Sequence, residues 1–380
     1  MNLGGQGKET AVQQQLQACL NELERIAQAA PSAARPVCAA GFDGFIDTLV
    51  SPVMKAGTHE NRFRTIQQFG EYVAGKSGQS GAIELELKSR RAGGNAPIFS
   101  QALASLGVQV HCLAAMGFPE PDPIFAPIAA HCDAHSVAAP GLCTALEFED
   151  GKIFLTQNDG IRSIEYGQIK ARVGAERLAE IARGSSAIAM LNWGEIEAMQ
   201  QVWQGALEDF SAQSDPAKRK TLLVDFADLS ARSAAEIEAV LALLKRYRPW
   251  FDTQLSMNRN EFQILSGVLA LAPTLDAASV QKMLQSLGVD GLAVHTPQRS
   301  FHASAAACER VENRYVGKPL ISTGAGDHFN AGFMFGLLHR LDMQTALILA
   351  GAVSGYFVSR GCGPNPAQLA DFIRQWQASC

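Results

Sequence analysis

The sequence predicts an α/β fold in which a central, mostly parallel sheet is flanked by helices on both faces. Short apolar segments alternate with amphipathic segments of about ten to twenty residues, which is the pattern of repeated β-α-β units. With 380 residues, of which 47% are hydrophobic and 18% charged, the chain can bury a large core. The segments predicted as central strands are 37–42, 108–115, 187–191, 221–226 and 291–294.

Residues 1–36 are predicted to form a helical extension, and residues 37–380 the main domain. Four apolar residues of the extension recur on one side of a helix, and two prolines break the helical pattern after them. These residues are Leu16, Leu20, Leu23 and Ile26, followed by Pro31 and Pro36.

A small lid of β-strands is expected outside the main sheet, contributed by residues of about 48–91 and 143–157. Segments 83–88 and 145–149 alternate apolar and charged residues, and a turn followed by an apolar run at 153–155 comes directly after the second one. Such strands have one wet face and suit an antiparallel flap. The apolar face of this flap could close over a ligand, or it could pair with a second subunit to form a homodimer.

Charge and composition exclude several classes of function. A net charge of -5 with both signs interspersed gives no basic stripe, which argues against nucleic acid as a partner. Without a long apolar run or a signal-peptide layout, we expect a cytoplasmic protein with no membrane partner. The eight cysteines form no Cys-x-x-Cys pair and have no nearby histidine at metal-ligand spacing, so we expect reduced, mostly buried thiols.

The most informative segment is the glycine-rich run that precedes Asp327. After it, Phe329, Phe333 and Leu337 recur at helical spacing, so the small residues at 323–326 lie at the start of a buried helix. Unpaired N–H groups and the helix dipole favour an anion at that position. The Asp327 carboxylate can take a proton from a hydroxyl nearby. The alternative is an acidic residue that only stabilises the helix end.

The string Thr323-Gly324-Ala325-Gly326-Asp327 resembles the second signature of the ribokinase-like, or PfkB, family of carbohydrate kinases. The resemblance implies a ribokinase-like fold and ATP-dependent phosphorylation of a hydroxyl group on a sugar-like molecule. It implies that the amides of Gly324, Ala325 and Gly326 form an anion hole for the γ-phosphate. Asp327 would then be the general base, with Thr323 beside the nucleotide.

Two further segments resemble the sugar-binding part of that family. Gly93-Gly94-Asn95 opens a helix, as the first signature of the family does, and its glycines permit a close backbone approach. Asp47, with Asp43 as an alternate, follows the first predicted strand, where ligands of α/β sheets commonly bind. The resemblance assigns all five residues to substrate binding.

A third resemblance concerns the metal and the nucleotide. Asn258 and Glu261 match the Asn-x-x-Glu motif of the family, which places Glu261 near Mg²⁺ and Asn258 near the phosphates. The same four residues also fit a helix start, with Asn258 as the cap, and both interpretations can hold together. By analogy with the nucleotide pocket of the family, the loop at 295–300, which begins with His295, and the segment from Gly361 to Asn365 would border the adenine.

The chain departs from the family pattern at three places. Ile321 stands where many relatives have an aspartate near a monovalent-cation site, and Ile98 replaces a second asparagine after the Gly-Gly motif. Residues 117–122 also differ from the usual Gly-x-Asp. Monovalent-cation activation and the identity of the sugar therefore do not follow from the resemblance.

Residues 70–77 match the P-loop pattern G-x-x-x-x-G-K-[ST] letter for letter. A working P-loop follows a buried strand and opens a helix. Here the preceding residues predict a helix with Ile66, Phe69 and Val73 on one side, and Gly75 fits its C-terminal end. We therefore interpret the match as accidental.

Competing functions remain within and outside the kinases. A nucleoside kinase of the same fold would use aromatic residues to stack on a base, for which Phe42, Phe45 and Phe118 are candidates. A non-catalytic sugar- or nucleotide-binding regulator would not need the base Asp327. A nicotinamide-dependent oxidoreductase would need a Gly-x-Gly-x-x-Gly turn after the first strand, which 41–47 lacks. A hydrolase with paired carboxylates would need partner groups that the sequence does not supply.

Overall fold

The computed structural model describes residues 3–29, 35–54, 62–162 and 164–379. Pro31, residues 55–61 of the predicted lid region and Cys380 lie outside the described residues. The strands of the main sheet are β1 (Val37–Phe42), β4 (Gln109–Ala114), β5 (Asp133–Ser136), β8 (Ala187–Leu191), β9 (Lys220–Asp225), β10 (Phe251–Asn258), β11 (Gly291–His295), β12 (Arg299–Ser304) and β13 (Cys308–Glu312).

The strands of the second, smaller sheet are β2 (Phe45–Val53), β3 (Glu84–Gly93), β6 (Gly141–Phe148) and β7 (Gly151–Gln157). The helices are α1 (Leu3–Ala29), α2 (Ile66–Ala74), α3 (Asn95–Ser105), α4 (Ala126–Ala129), α5 (Asp159–Arg162), α6 (Tyr166–Val173), α7 (Ala175–Gly184), α8 (Met199–Ala212), α9 (Ala234–Tyr247), α10 (Arg259–Val268), α11 (Ala277–Leu287), α12 (Ala325–Leu338), α13 (Met343–Arg360) and α14 (Pro366–Gln377).

The main sheet confirms the predicted α/β architecture. Its strand order is β13-β12-β11-β10-β9-β8-β1-β4-β5, and all pairs from β11 to β5 are parallel. Only β12 and β13 run antiparallel to their neighbours. The five predicted central strands correspond to β1, β4, β8, β9 and β11. The parallel strands therefore end at one common edge, where ligands of such sheets bind.

Helices cover both faces of this sheet because its strands are apolar on both sides. One buried cluster joins the sheet to α6 through α11, with Trp203 and Phe262 among its members. The other joins it to α1, α3, α12, α13 and α14, and contains Leu16, Leu20 and Leu23 of α1. In the described ranges, no helix has both the length and the apolar character needed to cross a bilayer.

The smaller sheet forms the lid, with strand order β3-β2-β6-β7. Two antiparallel pairs, β2–β3 and β6–β7, are joined by the parallel pair β2–β6. The helix α2 packs on one end of one face, where Phe69 lies 5.4 Å from Phe148 and 5.4 Å from Phe63 between ring centroids. The lid thus has a small apolar core of its own.

The P-loop pattern at 70–77 lies within and after α2 rather than at the start of a helix. Gly70 is inside α2, and Gly75 is its C-cap. These residues therefore do not present backbone N–H groups to a phosphate at a helix N-terminus. The interpretation of this match as accidental agrees with the fold.

Two long helices, α12 and α13, hold the site in place through very close packing. A Cβ atom at Gly332 would lie 2.7 Å from the Cα of Ala350, and one at Gly336 would lie 2.6 Å from the Cβ of Ala346. Only glycine permits this approach, because the obstacles include backbone atoms that cannot rotate away. The position of the N-terminus of α12 consequently depends on its packing against α13.

We expect Gly332→Ala to destabilise the protein by about 1–3 kcal/mol, because the added methyl group overpacks the α12–α13 contact. Urea unfolding followed by circular dichroism measures this change. Gly267→Ala is the matched control, since a Cβ atom there meets no other atom within 4 Å on α10. It should be neutral or slightly stabilising. Equal effects of the two substitutions would contradict the role given to this contact.

Candidate active site

The candidate site lies where four parallel strands end. Asp43 follows β1, Asn192 follows β8, Asp225 ends β9 and Asn258 ends β10. The N-termini of α3, α10 and α12 point to the same region, so backbone N–H groups and carboxylates meet there. Most of these side chains are buried or half-buried.

Asp43 is fully buried, and its carboxylate, directly after β1, is hydrogen-bonded to the start of α3. Its Oδ2 accepts hydrogen bonds from the backbone N–H of Asn95 at 2.7 Å and from Nδ2 of Asn192 at 3.0 Å. Its Oδ1 accepts one from the backbone N–H of Ala96 at 2.7 Å. Burial raises the pKa of Asp43 to about 7, although these hydrogen bonds lower it. Both oxygens thus accept hydrogen bonds from the protein, and the substrate-binding role assigned to Asp43 stays a prediction.

Asp47 lies near the start of β2, where the lid joins the main domain, and Gly93 and Gly94 lie close to it. A Cβ atom at Gly93 would lie 2.6 Å from the Asp47 carboxylate. At Gly94, φ is +92°, and a Cβ atom would lie 2.7 Å from the Cα of Gly44. Glycine is required at both positions for this approach. Burial raises the pKa of Asp47, and the charge of Arg91 lowers it.

Asn192 and Glu195 belong to the site but were not identified from the sequence. Asn192 has φ +58°, and its Nδ2 donates to both Asp43 and Glu195, the latter at 2.8 Å. Part of the Glu195 side chain reaches solvent, but partial desolvation in the cleft raises its pKa, and the charges of Asp228 and Asp47 raise it further. Asparagine is enriched among residues with positive φ at strand ends, which is the only sequence signal that could have marked this turn.

Asp225 and Glu261 are a pair of buried acids. Asp225 is the last residue of β9, and Glu261 lies in the first turn of α10. Asp225 accepts a hydrogen bond from Nδ2 of Asn330 on α12 at 2.5 Å and one from the N–H of Ala227 at 2.7 Å. Burial raises the pKa of Asp225, and Glu195 raises it further. Burial also raises the pKa of Glu261 well above its usual value, and Asp225 adds to this. Asp225 was not assigned from the sequence.

Glu261 and Asn258 also form the capping box that the sequence pattern allows. Asn258 Oδ1 accepts from the N–H groups of Asn260 and Glu261 at 2.8 and 3.1 Å, and Glu261 Oε2 accepts from the Asn258 N–H at 2.9 Å. This arrangement fixes the Glu261 carboxylate beside Asp225. Two buried carboxylates in proximity fit a cation with oxygen ligands, because such a cation relieves their repulsion.

The turn before α12 depends on the positive φ of Gly324 and on a hydrogen bond from His328. Gly324 has φ +93°, and a Cβ atom there would meet Phe357 and Ile98 at 3.4 and 3.6 Å. Nδ1 of His328 donates to the carbonyl oxygen of Gly324 at 2.8 Å, while its ring stacks on Phe357 at 3.7 Å. Burial lowers the pKa of His328 to about 4, so the ring is neutral at pH 7. The N–H groups at the start of α12 are therefore presented in a fixed arrangement.

Asp327 lies in the first turn of α12 and is buried. Burial raises its pKa well above the usual value, and the charges of Asp225 and Asp43 are the next causes. A hydrogen bond with Asn95 lowers it. Among the described residues, Oδ1 of Asp327 has no hydrogen-bond partner. A buried carboxylate oxygen without a partner is uncommon and is typical of a site that receives a ligand.

A cavity of about 530 Å³ opens beside this turn. Ala325, Gly326, Asn258 and His295 line it, so the structure brings these four predicted residues together. His295 stacks on Phe329 at 4.4 Å. Gln298, in the predicted 295–300 loop, also lines the cavity. Further lining residues that the sequence did not indicate are Asn313, Arg314, Tyr315, Ser354 and Val358.

Three predicted nucleotide residues lie apart from this cavity. Gly361 is the left-handed C-cap of α13 and lines another cavity together with Arg90 and His328, and Asn365 is the exposed N-cap of α14. Neither residue is among those that line the His295 cavity, and their assignment to the nucleotide stays a prediction. Thr323 is exposed in the turn before α12 and is not among the residues that line the cavity.

Comparisons with known proteins agree with this arrangement. The family model of prokaryotic ketohexokinase matches residues 10–376. A ketohexokinase of Haloferax volcanii is 31% identical over 344 residues, which cover 87% of this chain and 89% of that protein.

Solved structures with the same fold are more distant in sequence. Ribokinase of Thermotoga maritima and adenosine kinase of Sinorhizobium meliloti both align with a TM-score of 0.62, at 16% and 17% identity. Each alignment covers 90% of this chain and 100% of the other. A protein of E. coli assigned as a ribokinase II, solved with ATP and Mg²⁺, aligns with a TM-score of 0.61 at 17% identity and with the same coverage. At such identities the alignments show the ribokinase fold alone.

Proposed function

Because this chain belongs to the prokaryotic ketohexokinase family, we propose that it transfers the γ-phosphoryl group of ATP to a hydroxyl group of a ketohexose. The chain is an ATP-dependent carbohydrate kinase. The ketohexose is the class of sugar in the name of its H. volcanii relative. The observation that carries the proposed mechanism is the unpartnered, buried Oδ1 of Asp327 beside the amides that open α12.

In the proposed reaction, Asp327 accepts the proton of the attacking hydroxyl group. The hydroxyl oxygen forms a bond to the γ-phosphorus as the bond from that phosphorus to the β,γ-bridging oxygen breaks, and ADP leaves with the electron pair. The N–H groups of Gly324, Ala325 and Gly326 would stabilise the charge on the transferring group. The raised pKa of Asp327 makes its ionised carboxylate a stronger base, and it is this ionised form that accepts the proton.

A polyol substrate suits the polar groups around Asp327. Asp47, Asn95 and Glu195 offer carboxylate and amide atoms that can bond sugar hydroxyl groups. We propose that Asp47 and Glu195 accept from these hydroxyl groups, that Asn95 bonds to one of them, and that Gly93 and Gly94 leave room for the sugar. Asp43 would hold Asn95 in place.

A nucleoside substrate is supported less well by the aromatic residues. Phe42 and Phe45 are buried in the core, with 3% and 7% of their surface exposed. Phe118 lies under the guanidinium of Arg172, at 3.9 Å from its carbon. Phe42 and Phe45 are therefore not presented to a base, and Phe118, although 54% exposed, already has Arg172 over one face of its ring. This favours the sugar over the nucleoside.

We propose that Mg²⁺ accompanies ATP at Asp225 and Glu261, with Asn258 near the phosphates. The observation that supports this is the pair of buried carboxylates: burial raises the pKa of Glu261 well above its usual value, and the charge of Asp225 raises it further. When bound, Mg²⁺ would supply positive charge that neutralises the phosphates. His295, Asn313 and Tyr315 border the cavity proposed for the nucleoside part of ATP.

We also propose a cytoplasmic homodimer formed through the lid. The end of one lid face that α2 leaves open carries the exposed side chains of Leu85, Leu142 and Leu155 around one depression. An apolar strip of this kind is typical of an interface. The cytoplasmic location is supported by the free thiols of the seven described cysteines.

We expect Asp327→Asn to lower kcat by about 10²–10⁴-fold with fructose, because the amide cannot accept the proton. ADP release by the wild type, measured with fructose, ribose and adenosine in turn, tests which class of substrate is phosphorylated. ATP affinity, measured by calorimetry, should stay near that of the wild type. Asp371→Asn on the exposed face of α14 is the control. Wild-type turnover by Asp327→Asn would exclude it as the base, and phosphorylation of adenosine alone would exclude the ketohexose.

Glu261→Gln should raise the Mg²⁺ concentration needed for half-maximal activity, since a carboxylate near the ion is replaced by a neutral amide. A Mg²⁺ titration at fixed ATP measures this. Glu238→Gln, at an exposed position of α9, should leave the titration curve in place. An unshifted curve for Glu261→Gln would refute its role at the metal.

Light scattering of the intact chain should give the mass of a dimer. Leu155→Glu should shift the mass toward the monomer, because it places a charge on the open apolar strip. The neighbouring Phe154 is equally exposed but lies on the opposite face of the strand, so Phe154→Glu should leave the dimer intact. A monomeric wild type, or equal effects of the two variants, would exclude this interface.

A further inference from the structure

A cluster of metal-ligand side chains lies at the edge of the main sheet, apart from the carboxylates of the active site. It consists of His111 on β4 together with Asp133 and His135 on β5. His111 and Asp133 are register partners on the two parallel strands, and His135 follows Asp133 by two residues. Because side chains alternate across a strand, all three project from the same face of the sheet.

The ligand atoms of these residues converge. Oδ2 of Asp133 lies 2.7 Å from Nδ1 of His111 and 3.1 Å from Nε2 of His135, and the three atoms all lie within 4.8 Å of one another. Nε2 of His135 is buried from solvent and makes no hydrogen bond of good geometry among the described residues, although it lies close enough to Asp133 to lower the pKa of that carboxyl. A ligand bound to this nitrogen would offset the free-energy cost of its burial.

We propose that His111, Asp133 and His135 bind a divalent first-row transition ion such as Zn²⁺. Two imidazoles and one carboxylate are a donor set that these ions favour over Mg²⁺ and Ca²⁺. Three protein ligands leave a coordination position for water. The His111 and Asp133 side chains are 20% and 42% exposed, so an ion can enter from solvent.

The ion would tie the edge strand β5 to β4. The strand β5 has four residues and pairs only with β4 among the described strands. Because His111 lies within β4 and not at its carboxyl end, the cluster is displaced along the strand from the edge where Asp43 and Asp327 meet. The site is therefore structural rather than part of phosphoryl transfer.

One positive charge competes for the same carboxylate. The guanidinium of Arg177, at the start of α7, lies 2.6 Å from Oδ2 of Asp133 and 3.0 Å from Glu180. In the structure, Arg177 and the two histidines together lower the pKa of Asp133 to about 2. Arg177 is 41% exposed and can keep Glu180 as its partner when an ion takes the Asp133 oxygen.

The test is a titration of the chelator-treated full chain with Zn²⁺ by calorimetry and with Co²⁺ by visible absorption. An excess of Mg²⁺ masks the oxygen-ligand site of the kinase. We expect one ion per chain. His111→Gln and His135→Gln should each weaken binding by about 100-fold or more, since even groups that only orient a ligand contribute about 10–100-fold.

Two further variants separate this site from nonspecific binding. His131→Gln is the matched control, because His131 is exposed near the same strand and its Nδ1 bonds to the carbonyl of Pro127 at 2.8 Å. It should not change the affinity. Arg177→Gln should tighten binding by about fivefold, because it removes a competing positive charge. Binding should also weaken as the pH falls, because protons compete with the ion for the ligand atoms.

Kinase activity should be unchanged in His111→Gln and His135→Gln, which also shows that these variants fold. Absence of a bound ion in the wild type would overturn the proposal. So would an affinity that His111→Gln and His135→Gln leave unchanged, because the ion would then bind elsewhere in the chain.

Discussion

The arrangement of the site depends on the carboxylate of Asp43, which is buried between three elements. It accepts hydrogen bonds from two N–H groups of α3 and from the amide of Asn192 after β8. These bonds join the end of β1, the start of α3 and the turn that carries Glu195. A buried carboxylate without such partners would be strongly unfavourable, so the three elements must meet here for the chain to fold. The positions of Asn95 and Glu195 follow from this one group.

The second constraint is electrostatic. Asp43, Asp47, Glu195, Asp225, Glu261 and Asp327 all have a raised pKa, and for each of them burial is the largest cause. Mutual repulsion adds to burial for Asp225, Glu261 and Asp327. The helix N-termini of α3, α10 and α12 supply partial positive charge, but each supplies less than a full charge. Such a cleft suits a cation and a ligand with many hydroxyl groups.

The sequence predicted the parts of the fold and site that depend on local pattern. The alternation of apolar and amphipathic segments identified five strands of the main sheet, and the run before Asp327 identified the start of α12. The strands β5, β10, β12 and β13 were not identified, although β10 is buried in the middle of the sheet. Asp225 was missed because a single acid at a strand end has no pattern. Its role comes from contact with Asn330, 105 positions further along the chain.

Two assignments made by analogy stay predictions. Gly361 and Asn365 were assigned to the nucleotide, and in the structure Gly361 ends one helix and Asn365 caps the next. Their residue types fit these caps fully, since glycine adopts positive φ and asparagine accepts from helix N–H groups. The cluster of His111, Asp133 and His135, in contrast, could not be predicted from the sequence. Residues 22 positions apart become neighbours only when β4 and β5 pair.

The junction between the lid and the main domain is narrow and rich in glycine. Gly44, Gly94 and Gly141 lie where β2, β3 and β6 meet the larger sheet, and the N–H of Gly141 donates to the carbonyl of Gly44 at 2.9 Å. A Cβ atom at Gly94 would lie 2.7 Å from the Cα of Gly44, so the two backbones pass close to each other at the junction. Because α2 and the lid strands share an apolar core of their own, an outward rotation of the lid would leave its internal packing intact. Such an opening would break mainly the backbone contacts at these glycines.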